Sequence, residues 1–325
     1  MAVLAAFAMP ALANAAPSRG PDGGGGSHKI VGGFSAAVGT YPWQVALLDG
    51  QASALYCGGS LIRPKVVLTA AHCVLPPSPF SGDDFIVAGA SNWTDPAQGH
   101  EYLITSAIPH PSYDAVTHAN DVALIFLSTP VVPTDATPIV LPGPEEKTTW
   151  RAGANGTVTG WGAIAEGSSA VPDLRAAVVP ILRDSYCFLT YPGIFSATTM
   201  FCAGFPTGAI DACQGDSGGP ITVAARGGEG GLVRLAGVTS FGNGCARPNA
   251  PGVYTRLGQD PIQSFVQDTV NGGPDPGDVV GSGGAFCQFE KTKKLRKICA
   301  CKQKPAVAAR KKCIKRAKKS LRRKR

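Results

Sequence analysis

From Ile30 to Asn271 the chain repeats one pattern, short apolar runs separated by segments rich in Gly, Pro and Asn. Residues 43–48, 65–69, 121–127, 156–159, 176–182 and 232–241 are such runs. The runs are short and are spaced along the chain by Gly, Pro and Asn, the residues that mark turns. With 41 glycines, 27 prolines and only 16% charged residues, the chain is rich in turns and poor in the charge that would coat a helical bundle. The pattern predicts an all-β body, a sandwich or a pair of barrels, and argues against βαβ units. The exception is residues 260–270. There Pro261 suits a first helical position, and Ile262, Phe265, Val266 and Val270 form an apolar stripe at helical spacing. At 325 residues the chain can bury one large core or two smaller ones. The body has no apolar stretch long enough to span a membrane, which excludes a multi-span helical protein. No internal repeat is convincing.

The net charge of +8 conceals a division. Residues 1–286 carry 12 Lys/Arg against 21 Asp/Glu, whereas residues 287–325 carry 18 Lys/Arg against Glu290 alone. An acidic body and a strongly basic tail need separate explanations. At the other end, residues 1–15 are small and apolar, with Ala11-Leu12-Ala13 or Ala13-Asn14-Ala15 as a cleavage site, and read as a signal peptide although no Lys or Arg precedes the apolar stretch. Ten cysteines, six in the body and four in the tail, suit an oxidising, extracellular setting. Residues 16–29 are Gly-rich and expected to be unstructured. They end at Lys29, where the sequence turns abruptly apolar at Ile30, so a protease can cut there.

Three motifs carry chemistry. Thr69-Ala70-Ala71-His72-Cys73 puts a histidine at a strand end, and Asn120-Asp121-Val122-Ala123-Leu124 puts a carboxylate at the entry to a buried strand. Residues 211–220, Asp-Ala-Cys-Gln-Gly-Asp-Ser-Gly-Gly-Pro, surround Ser217 with glycines. Alone, each reads as a structural histidine, a capping aspartate or a turn. Together and in this order they resemble the trypsin/chymotrypsin-like serine endopeptidases, with Ile30-Val31-Gly32-Gly33 as the new N-terminus of an active form. Gly160-Trp161-Gly162 and Gly252-Val253-Tyr254-Thr255 match as well, so the resemblance covers residues 30–271.

The resemblance implies two six-stranded antiparallel β-barrels with a C-terminal helix, and a division into signal peptide (1–15), activation propeptide (16–29), protease domain (30–271), linker (272–286) and tail module (287–325). It implies that His72, Asp121 and Ser217 are catalytic. A serine hydroxyl is a poor nucleophile at neutral pH and needs a base within reach, and the imidazolium formed during attack needs a fixed anion. The backbone N–H groups of Gly215 and Ser217 form the oxyanion hole, in a loop kept free of β-carbons. Asp216 is the expected partner of the Ile30 ammonium once the chain is cut after Lys29, which makes activation a two-state switch.

Asp211 matches the base of the primary specificity pocket, where a buried carboxylate accepts Arg or Lys and rejects apolar side chains. By the same resemblance, Gly242 and Gly252 match positions that keep the pocket mouth and wall open, Ser240 matches the position that bonds the triad aspartate and lines the cleft, and Phe241 stands where many members carry Trp. Ala212 lacks a hydroxyl found in some relatives, which tilts preference toward Arg. Lys29 would satisfy this specificity itself, which makes autoactivation a hypothesis the resemblance raises. The implied disulfides are Cys57–Cys73, Cys187–Cys202 and Cys213–Cys245. No cofactor or metal is implied; no complete calcium loop is present, and although Asp95 and Glu101 are available, nothing in the sequence fixes their geometry. Asn92-Trp93-Thr94 and Asn155-Gly156-Thr157 are glycosylation sequons.

Beyond a Gly/Pro linker, Cys287, Cys299, Cys301 and Cys313 sit at symmetric spacings that suggest two short disulfide-linked helices, with Pro305 starting the second. Four cysteines allow three pairings, and the sequence does not choose among them. Without histidine, zinc is a weaker reading of this tail. Its charge suits polyanions: cell-wall polymers, anionic lipid, glycans or nucleic acid. Phe289 as sole aromatic argues against base stacking. The expected protein is a secreted monomeric endopeptidase acting on protein or peptide substrates after Arg/Lys. Its rival is a catalytically idle protease-like protein that binds polyanions through the tail.

Overall fold

The computed structural model describes residues 33–272 apart from 52, 79, 144, 145, 147–150, 209 and 226–231. The signal peptide, Lys29 and Ile30, most of the linker and the tail with its four cysteines therefore lie outside the described residues.

Among the described residues, thirteen strands, two α-helices and a short 3-10 turn form the body. Six strands close into a barrel in the order β2-β3-β4-β7-β6-β5: β2 (Gln44–Leu48), β3 (Leu55–Arg63), β4 (Val66–Thr69), β5 (Phe85–Ala88), β6 (His100–Pro109) and β7 (Ala123–Leu127). Strands β2, β4, β5 and β7 are buried along their whole length, because barrel closure covers one face and the neighbouring structure covers the other. Val45, Leu47, Leu61, Val67 and Ile125 fill this barrel, while Leu68 and Leu124 point to the opposite face of β4 and β7.

The second sheet is ordered β1-β9-β8-β11-β12-β13-β10. It comprises β1 (Phe34–Ser35), β8 (Asn155–Gly160), β9 (Arg175–Pro180), β10 (Met200–Ala203), β11 (Pro220–Ala224), β12 (Val233–Phe241) and β13 (Gly252–Arg256). Just past β9, Ile181 bridges to Ala203 of β10, and the amides of Leu182 and Gly204 bond across the same seam at 2.9 and 3.0 Å. Six of the seven strands thus curl back on themselves, and the two-residue β1 is an addition along β9. Both sheets are antiparallel, so the all-β fold with two barrel-like sheets and a C-terminal helix matches the sequence expectation.

Helix α2 (Ile262–Gly272) buries Ile262 and Val266, and Phe265 and Val270 pack beside them in the cluster that contains Leu235, Val238 and the first-barrel residues. The stripe read from the sequence is this face. A second helix, α1 (Asp184–Thr190), was not legible in the sequence. Its seven residues are too few to show a period, it has no side-chain N-cap, and only Cys187 is buried. The Cys187–Cys202 disulfide joins it to β10. Two further disulfides join Cys57 to Cys73 and Cys213 to Cys245. Among the described residues no helix is long and apolar enough to cross a membrane.

Candidate active site

The chemistry-bearing residues gather where the two sheets meet. Strand β4 ends at Thr69, and a 3-10 turn over Ala71–Cys73 follows at once, tied to β3 through Cys57–Cys73. This turn presents His72. Asp121 lies two residues before β7, whose first residue Ala123 pairs with Thr69 at the end of β4, so strand register brings the two side chains together. His72 Nδ1 lies 2.7 Å from Asp121 Oδ2, and the His72 backbone N–H donates to Oδ1 at 3.0 Å. Ser240 Oγ donates to the same Oδ2 at 2.6 Å, and Thr255 Oγ1 donates to the Asp121 carbonyl at 2.6 Å.

Asp121 is fully buried while the His72 side chain keeps 25% of its surface exposed. Burial pushes the Asp121 carboxyl up, but the His72 charge and the hydrogen bonds from His72 and Ser240 outweigh it and hold the group below the usual range. For His72, burial disfavours the cation, and the neighbouring Asp121 more than restores it, raising the imidazole above its ordinary value.

Ser217 stands on the loop before β11. Its carbonyl accepts the Gly58 N–H at 2.7 Å, which ties the loop to β3. A β-carbon on Gly218 would lie 3.2 Å from Ala70 N and collide with Thr69 and Gly58, so only glycine lets this loop approach the strand that leads into His72. Gly215 at φ +96° and Gly218 at φ +78° occupy conformations that L side chains disfavour. The amides of Asp216, Gly218 and Gly219 all donate to backbone carbonyls. Among the described residues the amides of Gly215 and Ser217 donate to no protein acceptor, and the Ser217 hydroxyl makes no hydrogen bond to His72.

Asp216 points inward. It is fully buried and accepts N–H bonds from Gly162 at 2.8 Å and Cys213 at 2.9 Å. A β-carbon at Gly162 would sit 2.6 Å from its Oδ2, so Gly162 makes room for the carboxylate. Burial pushes this carboxyl up to about 6.

Asp211 is 3% exposed, accepts the Ala212 N–H at 2.8 Å, and is pushed up to about 7 by burial. A β-carbon at Gly252 would lie 2.7 Å from its Oδ1, and one at Gly242 would lie 3.9 Å from the Gly252 Cα. The two glycines therefore face each other, and a side chain on either would fill the slot between them. Neither Asp211 nor Asp216 is paired with a cationic side chain among the described residues. Phe241 packs edge-on against Tyr191 with centroids 5.5 Å apart.

One neighbour escaped the sequence reading. His118, three residues before Asp121, sits at φ +56° with its Nδ1 3.9 Å from Asp121 Oδ2. Its ring stacks on Phe241 at 5.1 Å and lies edge-on to His72 at 6.1 Å. A histidine just ahead of the motif carboxylate was the available signal; nothing in the sequence said that the chain turns back there. Asp95, by contrast, is engaged in its own turn, accepting the Ala97 N–H at 2.9 Å and Gln98 Nε2 at 3.0 Å.

Comparison with known proteins places the chain in a family. The family described as Trypsin matches residues 30–261. The chain is 40% identical over 258 residues to Serine protease 56 of Mus musculus, covering 76% of this chain and 39% of that protein. It is 38% identical over 246 residues to Trypsin of Saccharopolyspora erythraea, covering 75% of this chain and 99% of that protein. Against Trypsin of Sus scrofa it is 37% identical, with 74% and 96% covered. It thus spans well under half the length of the mouse protein but nearly the whole of the two trypsins. A family match over residues 30–261, with 37–38% identity across nearly the whole of two trypsins, shows that the chain belongs to the trypsin family of serine endopeptidases.

Proposed function

We propose that the chain is a secreted, zymogen-derived serine endopeptidase that hydrolyses peptide bonds after Arg or Lys, with His72, Asp121 and Ser217 as its catalytic residues. The observation that carries this reading is the 2.7 Å bond from a fully buried carboxylate to a partly exposed imidazole, beside a glycine-built loop that holds a serine. Asp121 fixes the His72 tautomer with Nε2 free to accept a proton. Ser217 Oγ attacks the substrate carbonyl as its proton passes to His72 Nε2, and the Gly215 and Ser217 amides receive the developing oxyanion. His72 then gives that proton to the departing amine, leaving an acyl-enzyme. Water, deprotonated by the same nitrogen, hydrolyses the ester and restores Ser217.

Two buried carboxylates complete the reading. Asp211 takes the cationic end of a substrate Arg or Lys, whose side chain passes between Gly242 and Gly252 with Ser240 and Phe241 along its path. Asp216 takes the ammonium of Ile30 after cleavage at Lys29. At an effective dielectric of 20, a pair at about 4 Å gains roughly 4 kcal/mol before desolvation, enough to bias a loop between two states. The disulfide-bonded body suits an extracellular monomer, and the basic tail suits a polyanion.

The test compares peptide amides ending in Arg, Lys or Phe, before and after cutting at Lys29, with Ser217→Ala alongside. Turnover of Arg and Lys amides only after the cut, and none with the variant, is the expected result. Preferential turnover of Phe amides would remove the role given to Asp211. No turnover from protein verified to start at Ile30 would favour an idle body with the tail as its working part.

A further inference from the structure

The segment that would carry a new N-terminus to Asp216 is held by a side chain far from the catalytic loop in sequence. Strand β1 is two residues long, lies at the edge of its sheet against β9, and leaves Phe34 and Ser35 exposed. A backbone pairing this short has little to bury and frays readily on its own. Arg175 stands opposite Ser35 on β9 and is 8% exposed. Its Nη1 donates to Ser35 Oγ at 2.6 Å, and its Nη2 donates to the carbonyl of buried Gly33 at 3.3 Å. A guanidinium is costly to bury without acceptors, and these two acceptors lie on the residues just past the cleavage point. The placement of Arg175 along β9 matters as well. It pairs with Gly160 on β8, so the two residues face the same side of the sheet. A β-carbon on Gly160 would collide with the Asp216 carboxylate, so Asp216 lies on that side too. The clamp on Gly33 and the buried carboxylate therefore share one face, and the segment from Ile30 to Gly33 can span at most about 11 Å.

We propose, on the reading of Asp216 as the partner of the Ile30 ammonium, that Arg175 is a positioning residue for activation: by clamping Gly33 and Ser35 it fixes the root of the cut end close to its buried partner. Every residue fixed in one conformation costs entropy, and a shorter free tether keeps the ammonium at a higher effective concentration near the carboxylate. With the clamp in place, docking has to order only the residues before Gly33. Without it, docking must order Gly33 and β1 as well, and the amine spends more of its time in water. Arg175 touches neither substrate nor the reacting atoms. It acts through the equilibrium between a free and a docked N-terminus, so its loss lowers the population of active molecules and leaves the chemistry of each one unchanged.

The experiment uses the full chain cut at Lys29 and follows carbamylation of the Ile30 amine by cyanate near pH 7, read by mass spectrometry of the N-terminal peptide. At that pH an α-amino group reacts ahead of lysines because its pKa is lower. A docked ammonium is protected, so the rate reports the undocked fraction. Arg175→Gln is expected to raise the rate about tenfold and Ser35→Ala, which removes one of the two bonds, about threefold, with Arg175→Lys between wild type and Arg175→Gln. Ser35 is exposed, so its variant reads the clamp even if Arg175→Gln fails to fold. Activity on an Arg amide should decay in step with carbamylation in every variant. The same rates measured in Ser217→Ala report docking by mass alone, which keeps the test valid for a catalytically idle body. A merely structural Arg175 would lower the thermal stability of cut and uncut chain alike and leave carbamylation at the wild-type rate. Wild-type rates in both Arg175→Gln and Ser35→Ala would thus overturn the proposal while leaving Asp216 its role. A wild-type chain that keeps full activity once carbamylated at Ile30 would remove the Ile30–Asp216 pairing, and the role of Arg175 with it.

Discussion

Asp121, just before β7 of the first barrel, and Asp211 and Asp216, on the loop leading into β11 of the second sheet, are three aspartates at nearly the same depth, 0%, 3% and 0% exposed. Their carboxyls nevertheless move in opposite directions. Asp121 lies below the usual range, whereas Asp216 stands near 6 and Asp211 near 7. Burial acts on all three alike, and what differs is the partner. Asp121 has His72 and Ser240, while the other two have backbone N–H groups and no cationic side chain among the described residues. The His72–Asp121 half of the site is electrostatically complete within the folded body. The Ser217 half holds two buried carboxylates, each of which would be relieved by a cation from elsewhere: the substrate at Asp211 and the Ile30 amine at Asp216. The same asymmetry sets opposite pH effects on stability. Asp121 stabilises the fold above the unfolded value of about 4, and this is lost as pH falls through its lowered value. The raised pair works the other way, favouring the fold most at low pH and least once pH has risen past 6 to 7.

The largest effect is expected where the halves meet. Ser217→Ala should lower kcat by about six orders of magnitude, and His72→Ala by a similar amount, because triad members act as a unit. Asp121→Asn should cost about 10⁴ through the wrong imidazole tautomer. Steady-state kinetics on an Arg amide measures all three. If Asp121→Asn proved harmless, the complete half would not be catalytic and the comparison would lose its meaning.

Where the sequence spoke and where it fell silent follows the same division. His72, Asp121 and Ser217 stood in local motifs because each needs particular neighbours: the strand end and Cys73, the apolar β7, the glycines that a positive φ and a close approach to Thr69 demand. Helix α2 was legible because eleven residues display a stripe, and α1 was not because seven do not. The β strands with strong apolar runs, such as β2 and β4, could be read directly. Strand β3 carries Gly58 and Gly59 in its middle, and its strand character comes from pairing with β2 and β4 rather than from its residues. His118 reaches the site only through a backbone reversal, and that information resides in the tertiary fold.

The uncompensated half predicts the next effects. Asp211→Ser should reduce kcat/KM for Arg and Lys amides by about 10³- to 10⁵-fold with little loss on apolar ones, as expected when a buried polar partner is deleted. Asp216→Asn in chain cut at Lys29 should lower activity by roughly 100-fold, since an amide cannot hold the Ile30 ammonium that biases the loop. Chemical blocking of that amine should do the same, and both should leave the 2.7 Å His72–Asp121 bond intact, visible as an unchanged low-field imidazole proton. Loss of that signal would mean that the two halves assemble together. Raising the pH past about 8 should likewise reduce activity, as the amine loses its proton.

A smaller effect separates the two carboxylates that face solvent-borne partners. With Asp211 near 7, KM for an Arg amide should rise as pH falls below that value, by about tenfold per unit once protonation is dominant. His72 protonation lowers kcat over a nearby range, so the two are distinguished by which constant moves. An unchanged KM between pH 7 and 5 would mean that the substrate cation does not reach Asp211.

The smallest effect tests how complete the first half is. Ser240 lies on a second-sheet strand, β12, yet donates its hydroxyl to Asp121 at 2.6 Å, so it is the link by which one sheet steadies the carboxylate of the other. Removing it leaves Asp121 buried with one fewer donor. A hydrogen bond to a charged group contributes about 1.5–3 kcal/mol, and the two bonds from His72 remain to share the load. Ser240→Ala should therefore lower kcat about tenfold, leave KM for an Arg amide within about twofold, and shift the kcat–pH profile, since an aspartate with one fewer donor is a stronger acceptor for the His72 cation. The imidazole should then titrate higher, moving the acid limb of the profile upward. A loss confined to KM would place Ser240 with the substrate and not with Asp121.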